Sequence, residues 1–315
     1  MTDRKTIAVV GATGAQGGGL VRAILEDPER RFVARALTRD PASPAARALA
    51  AAGAQVVAAD ADDEASLARA FEGAHGAYCV TFYWAHLSPE KELAQAGALA
   101  RAARRAGVRH AIWSTLEDTR RLVPLESARM PTLMGRYKVP HFDAKGEADR
   151  LFADAGVPTT YLLTSFYWDN LVHSGMGPRP GPDGNLAIAM PMGNAKLPGI
   201  AAEDIGRSAF GIFAAGPALV GKRVGIAGEH LSGGEMAQAL SKALGRPVRY
   251  VDMPPEAYRA LGFPGADDLG NMFQYKRDFE AEYRAARSVE ATRALDPRLQ
   301  DFAAWLADNA ARIPL

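Results

Sequence analysis

Ile7-Ala8-Val9-Val10-Gly11-Ala12-Thr13-Gly14-Ala15-Gln16-Gly17 is the stretch whose reading decides the fold. An apolar, β-branched run ends at a glycine, and two more glycines follow at three-residue spacing. A helical pattern then begins at Gly18-Gly19-Leu20-Val21-Arg22-Ala23-Ile24-Leu25. Strand, glycine turn and helix in that order predict the phosphate cradle of a dinucleotide site. Gly11 permits the tight turn, Gly14 lets the backbone approach a pyrophosphate, and Gly17 lets the helix lie against the strand. The helix N-terminus offers unpaired N–H groups and a positive dipole end. Glycines at this spacing also occur in ordinary turns; the flanking strand and helix supply the context that the motif requires.

Outward from this unit the rhythm repeats. Strands are expected at 31–38, 55–60, 77–81, 110–114 and 159–163, and helices at 45–52, 64–71, 89–106 and 141–155. Alternation of this kind implies right-handed βαβ crossovers and a parallel sheet. The segment 117–139 breaks the rhythm with Pro124, Pro131 and Gly135 and only a weak helical period over 122–129. It reads either as a lid or binding loop or as plain surface connection. Beyond residue 163 the alternation loosens through glycine- and proline-rich stretches at 175–184 and 191–199. A last sheet strand is expected at 223–227 and a helix from the Ser232 cap to Leu244, closed by Gly245. A strand at 249–251, a short helix at 255–261 and helical patterns at 265–284 and 299–307 complete the chain. The fold class expected is α/β: a Rossmann-type doubly wound parallel sheet with a smaller α/β C-terminal substrate-side domain. The dinucleotide-binding domain would occupy 1–164, its sheet completed by about 222–228. The smaller domain, from 165–221 and 229–315, would fold over the carboxyl ends of the strands.

Bulk properties narrow the function. Of 315 residues, 48% are hydrophobic, ample for a large core; 37 Lys and Arg against 36 Asp and Glu leave a net charge of +1. That balance supplies no electrostatic reason to expect direct nucleic-acid or membrane binding. Cys79, the single cysteine, excludes an intrachain disulfide and a multi-cysteine zinc site. His75, His86, His110, His141, His173 and His230 show no metal-ligand spacing, so no metal is expected. The chain runs straight into its first strand and has no apolar run of about 18 residues, so a cytoplasmic protein is expected.

The nucleotide is read from the strand ends. At the end of the second strand, where an acidic residue would take the adenosine ribose hydroxyls, stands Thr38-Arg39. Arg39 offers a planar fork to a 2′-phosphate, which favours NADP (NADPH) and leaves NAD as second candidate. Asp40 follows at once, either as a competing carboxylate or as a turn residue before Pro41. Asp60 ends the third strand, where a carboxylate can accept from the adenine amino group or merely shape a turn.

Chemistry is harder to read. A short-chain dehydrogenase carries Tyr-x-x-x-Lys on one helix face, and no tyrosine in this chain has a lysine four residues on. The corresponding helix holds His141-Phe142-Asp143-Ala144-Lys145 instead, with Ser114 or Thr115 where the family serine would stand. His141 is either a general acid or a residue at a helix start. Tyr83, Trp84 and His86, and Phe166, Tyr167 and Trp168, form two aromatic clusters after strands, either a stacking wall for an aromatic ligand or core.

Gly11-Ala-Thr-Gly14-Ala-Gln-Gly17-Gly, Asp60-Ala-Asp-Asp63, His141-Phe-Asp-Ala-Lys145-Gly-Glu147 and Leu261-Gly-Phe-Pro-Gly-Ala-Asp-Asp-Leu-Gly-Asn-Met-Phe273 together resemble the NmrA-like proteins. These are atypical short-chain dehydrogenase/reductases, and the branch resembled most is that of the NADPH sensors. The resemblance implies that Gly11, Thr13, Gly14, Ala15, Gln16 and Gly17 hold the pyrophosphate, Arg39 the 2′-phosphate, and Asp60 with Ala61 the adenine. It places Thr81, Phe82 and Tyr83 along the adenosine and ribose, Lys145 on the nicotinamide ribose, and Ser165, Phe166, Tyr167 and Trp168 beside the nicotinamide. The chain departs from that branch at Ser43 and Ala94, where basic residues are expected, and in a longer loop over 120–137. The resemblance implies a dinucleotide redox sensor or regulator, with a regulated protein as partner. The alternative is a reductase of a carbonyl, quinone or other small aromatic acceptor that uses Lys145 and His141, with Ser114 assisting. A homodimer stays open.

Overall fold

The computed structural model describes residues 4–181 and 184–315; Met1 to Asp3 and residues 182–183 of the 175–184 stretch lie outside them. The first half alternates as β1 (Lys5–Val9), α1 (Ala15–Glu26), β2 (Phe32–Thr38), α2 (Pro44–Ala51), β3 (Gln55–Ala58), α3 (Glu64–Phe71), β4 (Gly76–Cys79), α4 (Pro89–Arg105), β5 (His110–Thr115), α5 (Pro140–Asp154) and β6 (Thr159–Leu163). Then come β7 (Phe166–Tyr167), α6 (Asn170–His173), β8 (Arg179–Pro180), β9 (Leu186–Met190), β10 (Leu197–Ile200), α7 (Ala202–Ala215), β11 (Arg223–Gly225) and β12 (Glu229–Leu231). The chain ends with α8 (Gly233–Leu244), β13 (Val248–Asp252), α9 (Pro255–Arg259), α10 (Ala266–Asp278), α11 (Glu280–Ala285), α12 (Val289–Leu295) and α13 (Phe302–Asn309). Two compact units result: 1–118 with 144–164 and 205–224, and 119–143 with 165–204 and 225–315.

The first unit is built on a seven-stranded sheet of order β11-β6-β5-β4-β1-β2-β3, in which the pairings among β1 to β6 are parallel. The chain reverses direction across the sheet between β1 and β4, the place where open α/β sheets bind ligands. Ile7, Ala8 and Val9 are fully buried, so the opening strand is central, as its unbroken apolar run requires. On one side Trp113 stacks on Phe152 at 5.0 Å, within a cluster that includes Leu67, Phe71, Leu99 and Ala103. On α1, Leu20, Val21 and Ile24 face inward, and Gly206 of α7 lies so close that a Cβ would stand 2.1 Å from the Leu20 nitrogen.

The second unit holds two small sheets, β12-β10-β7 and β13-β9-β8. Ser232 and Glu235 close a capping box on α8, and Gly245 ends it at φ 64°, both as the sequence predicts. After a single 3₁₀ turn at Thr119–Arg121 the chain is irregular over 122–129, Pro124 and Pro131 interrupting it, as the broken rhythm implies. Two expectations need correction. The 265–284 pattern is two helices, broken at Phe279, whose φ of −122° and ψ of 40° leave the helical region. The last helix starts at Phe302 rather than 299, because Asp301 caps it through Ala304 N.

Candidate dinucleotide site

The glycine turn has the close packing that a phosphate cradle needs. Gly11 sits at φ 65°, and Gly14 N–H donates to its carbonyl at 2.9 Å. A Cβ on Gly17 would fall 2.4 Å from the Gly11 oxygen, so only glycine lets α1 start against the strand end. Gly14 is the N-cap of α1 and makes no side-chain cap, leaving the first helical N–H groups to an outside acceptor. Thr13 and Ala15 flank it, both exposed. Gln16 turns inward: its Oε1 accepts from the Tyr78 hydroxyl and, at 2.8 Å, from Ser114 Oγ. Ser114 is thus buried and bound to the cradle itself.

Beside the cradle, Val80 reaches within 3.2 Å of the position a Gly11 Cβ would take, and Thr81 follows it. Here Lys145 is held by three acceptors. Its Nζ lies 2.6 Å from Glu92 Oε1, 2.7 Å from Thr81 Oγ1 and 3.2 Å from the Thr81 carbonyl oxygen, and 5.2 Å from the Trp113 ring centroid. Thr81 Oγ1 donates in turn to Glu92 Oε1. On the other side of the carboxylate, His86 Nε2 stands 3.6 Å from Glu92 Oε2. His86 Nδ1 accepts from Ser88 N–H at 3.1 Å, so the ring proton is on Nε2. Burial pushes the His86 pKa down, against the pull of Glu92. Phe82 is 67% exposed and Tyr83 buried, so of the two only Phe82 offers a free ring face.

Behind Lys145, the residue after Ser114 fixes the helix. Thr115 Oγ1 donates within reach of the Lys145 carbonyl oxygen at 3.0 Å and of Asp149 Oδ1 at 2.6 Å. Asp149 is also paired with Arg223. A Cβ on Gly146 would stand 2.5 Å from the Asp118 nitrogen, so α5 is pressed against the chain that leaves β5.

On the adenosine side, Arg39 is exposed at the end of β2. Its neighbours are committed: Arg35 donates to the Ala70 and Glu72 carbonyls at 2.9 and 2.7 Å, and Arg47 to the Ala42 carbonyl. Asp40 accepts from Ala42 N–H at 2.9 Å, a turn role, and Ser43 caps α2 through Ala46 N–H. Asp60 Oδ1 accepts from Asp62 N–H at 3.0 Å within the turn that carries Ala61. Lys91 is paired with Asp62 at 2.9 Å.

The remaining candidates lie in the second unit. Asp268 Oδ1 is 2.6 Å from His141 Nδ1, and its Oδ2 accepts from His141 N–H at 3.1 Å. Asp143 accepts from Thr119 N–H and Oγ1 at 2.8 and 2.6 Å, and from the Lys138 and Val139 N–H groups at 2.7 and 3.1 Å. Burial pushes its pKa up despite those donors. Lys138 is buried and donates to the Ser127 and Met130 carbonyls, each at 2.9 Å. Asn271 donates to the Pro131 and Lys138 carbonyls, and Gln274 to the Arg129 carbonyl at 2.7 Å. The 119–139 segment is therefore a clasped loop. Ser165 Oγ is buried and makes no hydrogen bond among the described residues; Phe166 packs at a tilt on Phe273, and Tyr167 lies in β7. Trp168 is packed with Phe302 and Trp305 over Gly199.

A model of the NmrA-like family matches residues 3–306. The chain belongs to the NmrA-like family. Among its curated relatives, the oxidoreductase FrzB of Cladobotryum sp is 29% identical over 310 residues, 92% of this chain and 89% of that protein. An NAD(P)H azoreductase of Xenophilus azovorans is 31% identical over 274 residues, covering 85% and 86%. The solved structure of NmrA, a negative transcriptional regulator, in complex with NADP matches with a TM-score of 0.77 at 26% identity, over 98% of this chain and 94% of that one. NmrA has also been solved with NAD.

Within this member of the family, sequence reasoning found Lys145 and missed its partner. Glu92 follows the Ser88-Pro89 start of α4 and shares a helical stripe with Ala96, Leu99 and Ala103, all fully buried. A carboxylate on an otherwise apolar stripe was the available signal. Thr115 was visible only as an alternative to Ser114, and Asp268 only as a letter of the late motif.

Proposed function

We propose that this NmrA-like protein binds NADP(H) along the carboxyl ends of β1, β2 and β4 and reduces a conjugated aromatic acceptor, a quinone, azo compound or carbonyl. The observation that carries this reading is the partly buried Lys145 ammonium, fixed beside the glycine cradle by Thr81 and Glu92. Gly11 to Gly17 and the uncapped start of α1 suit a pyrophosphate, and exposed Arg39 suits a 2′-phosphate. Asp60 and Ala61 would meet the adenine, and Lys145 the nicotinamide ribose. When bound, NADPH would be held by Gly11 to Gly17, Arg39 and Lys145 and would supply the hydride, the proton that completes the acceptor's reduction coming from solvent. Lys145 supplies positive charge and an N–H donor where negative charge develops on the acceptor. The Phe82 ring, 67% exposed, offers a stacking face for such a molecule. The azoreductase relative supports this order of preference.

A second reading, a dinucleotide-responsive regulator, is favoured by the NmrA match and by His141 in place of tyrosine, its ring held by Asp268. One experiment separates the two. Purified protein is incubated with NADPH and a panel of quinones, azo dyes and aldehydes while nucleotide absorbance is followed. Steady oxidation, lost in Lys145→Ala, supports the reductase. Tight NADPH binding with no turnover across the panel would leave the regulator. Lys145→Ala should weaken NADPH binding by about tenfold or more, the worth of a hydrogen bond to a charged group.

A further inference from the structure

Lys145 has three N–H donors and three oxygen acceptors around it: Glu92 Oε1, Thr81 Oγ1 and the Thr81 carbonyl. Thr81 is locked into the same cluster, receiving from Lys145 and donating to Glu92. Glu92 itself is fully buried, as is its side chain, on a stripe of α4 whose other members are apolar. A buried carboxylate is costly unless paired, and here it is paired to one amine and one hydroxyl. It stands in the first turn of α4, where the helix dipole favours negative charge. His86 also faces it, with Nε2 3.6 Å from Oε2, and the Trp113 ring lies beneath the Lys145 ammonium. We infer that Glu92 is a positioning residue for Lys145: it holds the amine in place at the end of β4, with its N–H donors aimed beside the glycine cradle.

In this arrangement, Lys145 engages a ribose or acceptor oxygen by exchanging one of its three present acceptors while Glu92 keeps the charge in place. Glu92 need not touch the nucleotide. Its influence passes through Lys145, which distinguishes it from a residue that merely supports the sheet. The nucleotide-binding part of the test below rests on the reading in the preceding section; the labelling part does not.

The labelling part measures how fast Lys145 is acetylated by acetic anhydride at neutral pH, by peptide mass spectrometry, with Lys242 as internal reference. The amine must leave its acceptors to react. Glu92→Gln should raise the Lys145 rate about tenfold relative to Lys242, the low end of the worth of a lost hydrogen bond to a charged group, while Glu92→Asp should keep most of the wild-type protection. An unchanged rate in Glu92→Gln would overturn the proposal. If Glu92→Gln does not fold, Glu92→Asp carries the test: a carboxylate drawn back by one methylene should give a measurably faster rate than wild type, and an identical rate would count against the role. The binding part titrates NADPH by fluorescence into Glu92→Gln, Lys145→Met and the double variant. Glu92→Gln should weaken binding in the wild-type background and add nothing in Lys145→Met. Equal losses in both backgrounds would make Glu92 a structural residue only. If Lys145→Met binds NADPH as well as wild type does, the ribose assignment falls, and the labelling result alone decides the role of Glu92.

Discussion

The two units are held in different ways. The first relies on missing side chains: Gly17 and Gly206 bring backbone onto backbone where a single Cβ would stand 2.4 or 2.1 Å from another main-chain atom. The second relies on added ones: Asp143, Asn271, Gln274 and Lys138 satisfy main-chain groups of a loop that has almost no regular structure. Close packing of glycines tolerates no change of volume, whereas a hydrogen-bonded clasp tolerates volume but not loss of a partner. This contrast predicts which substitutions each unit resists.

The largest effect is expected at the cradle. Gly17→Val puts branched carbon against the Gly11 carbonyl, which is main chain and cannot swing aside. A destabilisation of about 3 kcal/mol or more is expected, seen as a lower denaturant midpoint, together with loss of NADPH binding. Wild-type stability in this variant would break the comparison, because it would mean α1 can leave the strand end at little cost. Next comes the clasp. Asp143→Ala strips four hydrogen bonds from Thr119, Lys138 and Val139, leaving three of those donors as buried main-chain N–H groups. It should cost about 2–3 kcal/mol and open the 119–139 segment to limited proteolysis. Asn271→Ala, which removes two donors, should expose the same cleavage sites at a smaller loss. Cleavage elsewhere in the chain would show that the clasp does not depend on these residues.

The same contrast explains what could be read in advance. Glycine spacing, strand alternation and the caps at Ser232 and Gly245 are local, so they stand in the sequence beside the structure they make. The parallel sheet and the cradle were legible for that reason. The clasp was not: Asp143 lies 24 residues from Thr119, and Asn271 lies 133 from Lys138, so no periodicity records their meeting. The sequence shows only a weak helical period at 122–129, and it gives no sign that carbonyls there accept from Gln274 of α10 and from Lys138. Lys145 was legible from its place in the motif. Glu92 was passed over, because a carboxylate near a helix start ordinarily faces water, and only the apolar stripe it shares with Ala96, Leu99 and Ala103 marks it as buried.

The smallest effect is the part of the pH dependence that His110 of the first unit contributes. His110 is buried at the start of β5, its Nε2 2.9 Å from Thr160 Oγ1 and its ring edge-on to Phe213. Thr160 donates to the Leu219 carbonyl at 2.8 Å, so it accepts from His110, and the imidazole is neutral with its proton on Nε2. Burial, helped by His75, pushes its pKa down from 6.5 to about 4. Between those values the unfolded chain binds the proton and the folded one does not, so stability is present above pH 6.5 and is lost as pH falls towards 4. The loss from pH 7 to pH 5 should be about 2 kcal/mol. His75 titrates with the same sign, its pKa lowered first by burial, whereas Asp143 and Asp149, both raised by burial, act in the opposite sense. The comparison that isolates His110 is therefore wild type against His110→Gln, which keeps an amide donor for Thr160 and cannot titrate. Denaturant midpoints at the two pH values should fall further for wild type than for the variant, by the equivalent of that loss. Equal falls would mean that His110 is protonated in the folded protein and that the neutral hydrogen bond to Thr160 is wrongly assigned.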